Sequence, residues 1–119
     1  MPAKKILTAG LLVSILFLLP RVALAHAVLV SSSPAANAVV HADNIAVELR
    51  FNSRVDGQRS HLILVLSNGQ TQTLSLDKQN SATSLDSHVT LKPGSYIIRW
   101  QALSTDGHIT RGEIPFAVR

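Results

Sequence analysis

Hydrophobic and polar residues alternate with period two along most of the chain beyond residue 26. Ile45, Val47, Leu49 and Phe51 alternate with Ala46, Glu48, Arg50 and Asn52, the pattern of a strand with one buried face. Tyr96, Ile98, Trp100 and Ala102 alternate with Ile97, Arg99, Gln101 and Leu103 on a second, longer strand. Shorter apolar runs at 61–66, 71–76 and 88–91 add three more, the first two joined through Asn68-Gly69 as a β-hairpin. Ala27 to Val30, ended by Ser33-Pro34, reads as the first strand and Glu113 to Val118 as the last. Pro115 lacks an amide donor, so the last strand is expected to have an open side there. No helix-period stretch of useful length follows residue 26. Seven short strands separated by turn signals predict an all-β fold, an antiparallel β-sandwich.

Two details sharpen that expectation. Tyr96 follows the Pro93-Gly94 turn at the start of the penultimate strand, the position of a tyrosine corner, in which the hydroxyl ties the turn to the sheet. Trp100 lies on the same face and is the expected centre of the core.

The first 25 residues break the pattern. Lys4 and Lys5 precede an almost unbroken apolar run from Ile6 to Leu19, then Pro20, Arg21 and the small-x-small sequence Ala23-Leu24-Ala25. This order is that of a cleavable secretory signal peptide. The run is shorter than the roughly 18 apolar residues a membrane span needs. The expected organisation is therefore a signal peptide at 1–25 and one domain at 26–119, beginning with His26 and not spanning the membrane after cleavage.

Removing Lys4, Lys5 and Arg21 leaves eight basic residues against seven acidic ones, a net charge of about +1. No basic stripe remains to support nucleic-acid binding. The chain has no cysteine, and its single methionine is Met1. Residues 26–119 thus carry no sulfur ligand, no thiol nucleophile and no disulfide to supplement a small core.

In an immunoglobulin-like strand order, the first strand begins at the same end as the loop after the second strand and the loop before the last. These are Asn52 to Arg59 and Ser104 to Thr110, the latter containing Asp106-Gly107-His108. His26, Asp106 and His108 are therefore expected to be neighbours. An N-terminal histidine offers a free amine and an imidazole that together grip one metal ion in a chelate ring. An α-amino group titrates near pH 8, so a metal displaces its proton readily at neutral pH. His108 adds a nitrogen and Asp106 an oxygen, and nitrogen and oxygen donors suit Cu(II). Gly107 lets the tight turn aim both side chains at one point. His41, His61 and His88, in a loop or at strand starts, are read as non-ligands.

The chain resembles the CopC family of periplasmic copper-binding proteins over residues 26–119. The resemblance rests on His26 after the signal peptide, Ser32-Ser33-Pro34-Ala35, Ile45-Ala46-Val47-Glu48-Leu49-Arg50-Phe51 and Leu91-Lys92-Pro93-Gly94-Ser95-Tyr96. Trp100 and Ser104-Thr105-Asp106-Gly107-His108, leading into Gly112 and Phe116, complete it. It implies a Greek-key β-sandwich or barrel and a Cu(II) site formed by His26, Asp106 and His108. It also implies a periplasmic role, holding one copper ion per chain and handing it to an inner-membrane permease of the CopD type.

Some members of that family carry a methionine-rich loop for Cu(I); with no methionine after Met1, no Cu(I) site is expected here. Some also place an acidic residue in the loop after the second strand, where this chain reads Asn52-Ser53-Arg54-Val55-Asp56. The protein is expected to be a monomer and not an enzyme. The competing reading is a copper-dependent oxidase or polysaccharide monooxygenase with a histidine brace. Such an enzyme needs an open coordination position and a flat aromatic platform, whereas the carboxylate of Asp106 would fill the metal's plane. The one Trp and one Tyr are both assigned to the core.

Overall fold

The computed structural model describes residues 26–119. Eight strands appear: β1 (Leu29–Ser33), β2 (Ala38–Val40), β3 (Asn44–Phe51), β4 (His61–Val65), β5 (Thr71–Leu74), β6 (Ser84–Thr90), β7 (Gly94–Leu103) and β8 (Ile109–Val118). They form a three-stranded sheet, β1-β3-β6, and a five-stranded sheet, β2-β8-β7-β4-β5. The chain crosses between sheets after β1, β2, β3, β5 and β6, which makes a sandwich of immunoglobulin-like order.

The alternation read from the sequence is the one that builds the core. Ile45, Val47, Leu49 and Phe51 of β3 point inward against Tyr96, Ile98, Trp100 and Ala102 of β7 and Ile114, Phe116 and Val118 of β8. Leu62 and Leu64 of β4 complete the centre, with no exposed surface. Each fully buried aliphatic side chain of this kind contributes about 1.5–3 kcal/mol. Trp100 meets Phe51 edge to face, ring centroids 5.3 Å apart. The tyrosine corner is present: the Tyr96 hydroxyl donates to the Lys92 carbonyl at 2.7 Å.

Three elements differ from the sequence reading. The eighth strand, β2, is one that reading missed. After Ser33 the chain leaves the smaller sheet, turns through Asn37 at a left-handed φ of 65°, and joins the larger sheet parallel to the end of β8. The last strand is also longer than expected, starting at Ile109, and β2 makes it interior to its sheet over its last three residues. The open side foreseen at Pro115 is present: β2 pairs only with Phe116 to Val118, so from Ile109 to Pro115 that edge of β8 has no strand partner. The Pro115 carbonyl still accepts from the Asn37 amide at 2.6 Å. Finally, β6 begins at Ser84, four residues before the expected start. The β4–β5 hairpin closes through Leu66 to Gln70, with Gly69 at φ 85° and the Leu66 amide donating to the Gln70 carbonyl at 2.8 Å.

Candidate metal centre

Three segments meet at one end of the sandwich. The first is His26-Ala27-Val28, leading into β1. Ala27 is fully buried, and its carbonyl accepts from the Thr110 hydroxyl at 2.7 Å. Val28 exchanges two bonds with Asn52, its amide donating to Oδ1 at 2.8 Å and its carbonyl accepting from the Asn52 amide at 3.0 Å. With Ala27 pinned inward, His26 is left half-buried at the rim.

The second segment is the turn between β7 and β8. The Ser104 amide donates to the His108 carbonyl at 2.9 Å and the Gly107 amide to the Ser104 carbonyl at 3.0 Å. Gly107 lies at φ 90°. A side chain there would meet nothing within 4 Å, so the turn requires glycine for its backbone conformation and not for space. The third segment is the loop after β3, which supports the turn: Val55 bridges to Ser104, and the Thr105 amide donates to the Arg54 carbonyl at 3.3 Å.

This scaffold brings together all three residues singled out from the sequence. His26, Asp106 and His108 each offer one ligand atom within 4.8 Å of the others. The two imidazoles stand at 90° with ring centroids 4.6 Å apart. Nδ1 of His108 lies 3.2 Å from Oδ2 of Asp106. The Ser104 hydroxyl donates to Oδ1 of Asp106, and the His108 amide donates to the same oxygen at 3.1 Å. These bonds, the Ser104 hydroxyl foremost, lower the Asp106 carboxyl from 3.8 to about 2, with the His108 side chain adding a smaller push in the same direction. The site therefore presents a permanent carboxylate beside two imidazoles, a donor set able to hold a divalent cation.

The other candidates lie elsewhere. Nδ1 of His88 pairs with Oδ2 of Asp77 at 2.6 Å. His41 and His61 are not part of the cluster. Asp56, in the loop after β3, turns its carboxylate back onto its own loop, where Oδ1 accepts from the Gln58 amide at 2.9 Å and the Arg59 amide at 3.3 Å. Sequence reasoning gave no role to Asn52, Ser104 or Thr110. A polar residue two positions before the aspartate of an Asp-Gly turn was the one available signal for Ser104.

The domain is a two-sheet sandwich in which two imidazoles and a carboxylate converge at one end as a candidate metal site. Residues 29–119 match the CopC domain family, and the chain belongs to that family; His26 lies three residues before the match. Among similar proteins, YobA of Escherichia coli (strain K12) is 37% identical over 102 residues, 80% of each chain. The copper transport protein CutJ of Bacillus subtilis (strain 168) is 32% identical over 116 residues, which are 91% of this chain but 21% of CutJ. This chain thus spans about a fifth of that protein. The crystal structure of CopC from Methylosinus trichosporium OB3b superposes with a TM-score of 0.70 at 32% identity, covering 78% of this chain and 93% of its own. PcoC, a methionine-rich copper resistance protein of Escherichia coli, superposes at 0.66 with 24% identity over 80% of this chain and all of its own, a likeness of fold.

Proposed function

We propose that residues 26–119 form a periplasmic carrier for one Cu(II) ion, held by His26, Asp106 and His108 after cleavage behind Ala25. The observation that carries this reading is the convergence of two imidazoles and one carboxylate within 4.8 Å. The donor chemistry supports Cu(II): nitrogen and oxygen are present, and residues 26–119 contain no sulfur. A relative points the same way, since CutJ is named as a copper transport protein. The site sits at the rim, with the His108 side chain 49% exposed. A partner can reach the ion there, which suits delivery to an inner-membrane permease of the CopD type.

A carrier also fits better than an enzyme of the monooxygenase kind. Phe51, Tyr96, Trp100 and Phe116 are all buried, and no other Phe, Tyr or Trp occurs in residues 26–119. No such ring is left to form a flat binding platform, and function is argued from the site and not from the sandwich.

The test uses the new N-terminus. Cleavage gives His26 a free amine, which closes a chelate ring with its own imidazole. One residue added before His26 turns that amine into an amide, which does not bind a metal near neutral pH without losing a proton. Chelator competition at neutral pH is expected to give a Met-extended form whose Cu(II) affinity is weaker by orders of magnitude, with an unchanged apo fold. Equal affinities would overturn the N-terminal chelate.

A further inference from the structure

We infer that Ser104 is a positioning residue of the metal site, whose hydroxyl saturates one oxygen of Asp106 and leaves the other as a single, fixed ligand. The inference rests on the Cu(II) reading of His26, Asp106 and His108 and assigns the role of a residue outside that set.

Ser104 is 2% exposed, so its hydroxyl must find a partner within the protein. Two acceptors are in reach, Oδ1 of Asp106 and the His108 carbonyl at 3.1 Å. A hydroxyl has one proton, and the charged carboxylate is the stronger acceptor. The His108 carbonyl already accepts the Ser104 amide at 2.9 Å, so it is not left unpaired. Oδ1 of Asp106 then receives two donors, the Ser104 hydroxyl and the His108 amide at 3.1 Å. A carboxylate oxygen has two lone pairs in the carboxylate plane, and both are now used. Oδ2, which lies 3.2 Å from Nδ1 of His108, is the oxygen that remains. The clamp thus decides which oxygen faces the imidazoles and stops the carboxylate from rotating to offer both.

The turn itself does not depend on this hydroxyl. The Ser104 amide, the Gly107 amide and the Thr105 amide close it by main-chain bonds. Ser104→Ala therefore removes the clamp and keeps the scaffold. Changing a residue that orients a metal ligand commonly costs about ten- to a hundredfold in metal affinity.

The experiment is a double-mutant cycle on the processed protein, with Cu(II) affinity from chelator competition for the native form, Ser104→Ala, Asp106→Ala and the double variant. Electron paramagnetic resonance of each copper-loaded form accompanies it, and apo thermal midpoints check the fold. Ser104→Ala is expected to weaken binding about tenfold or more and to change the copper spectrum. In the Asp106→Ala background it is expected to change neither. An equal loss in both backgrounds makes Ser104 a general support of the turn and overturns the inference. So does an unchanged affinity and spectrum in the single variant. Cu(II) binding that is indifferent to Asp106 overturns the reading of the site itself, and the role of Ser104 with it.

Discussion

The Asp106 carboxylate is held in its charged form by the Ser104 hydroxyl first and the His108 amide second. Its folded value, about 2, lies below the ordinary 3.8. A depressed value means that the fold favours the ionised form. Any stability Asp106 contributes is therefore present above pH 3.8 and lost as the pH falls through about 2. In the apo protein, the carboxyl carbon of Asp106 is expected to titrate by NMR near pH 2, and in Ser104→Ala to move towards 3.8. A native midpoint at the ordinary value would mean that the two donors do not hold the charge in solution. Above pH 3.8 the carboxylate stays ionised. At this scale the sequence was readable for the three residues that the fold brings together. His26 after Ala23-Leu24-Ala25 and Asp106-Gly107-His108 before the last strand are local signals. Ser104, Asn52 and Thr110 were not readable as parts of the site, because each acts through a contact that exists only once three distant segments meet.

Among the elements, the β7–β8 ladder leaves no room for a side chain at Gly112. Gly112 stands opposite Trp100 in the register, and a Cβ built on it would lie 2.6 Å from three indole atoms. The indole has little room to retreat, because it is 7% exposed and also packs edge to face on Phe51. Gly112→Ala is expected to cost about 1–3 kcal/mol through overpacking, measured by urea unfolding, and to shift the emission of the single Trp in the folded state. Native stability in that variant would show that the larger sheet yields where the packing leaves no room. The long strands β3 and β7 were legible because their inward faces are apolar without interruption. The start of β6 was hidden by serine. Ser87 faces inward between Leu85 and Val89 and is fully buried, but it reads as polar. Its hydroxyl is satisfied by the Ser75 carbonyl at 2.6 Å, a partner no local pattern reveals. The strand β2 was hidden by length and distance. Its three residues cannot show a period, and they pair in parallel with a strand almost at the other end of the sequence.

As a whole molecule, the domain has no disulfide to tie its first residues to the rest. The segment His26 to Val28 is held by one buried alanine and bonds to Asn52 and Thr110. A metal ion shared by His26, Asp106 and His108 would clip this segment to the β7–β8 turn, and so close the sandwich at the end where the described residues begin. A ligand that binds only the folded form stabilises it by mass action, about 2.7 kcal/mol when free ligand is a hundred times the dissociation constant. For a domain of this size about 1 kcal/mol moves the thermal midpoint by 4–8 °C. Saturating Cu(II) is thus expected to raise the midpoint of the processed protein on the order of 10 °C or more. The oxidation state decides how far this goes. Cu(I) is a soft ion that favours thiolate and thioether donors, and residues 26–119 have neither cysteine nor methionine. The same excess of Cu(I), kept reduced under anaerobic conditions, is expected to move the midpoint far less. Differential scanning calorimetry of the two copper-loaded forms beside the apo protein makes the comparison. Equal shifts would mean that the domain holds both oxidation states alike, and would overturn the assignment of its cargo as Cu(II).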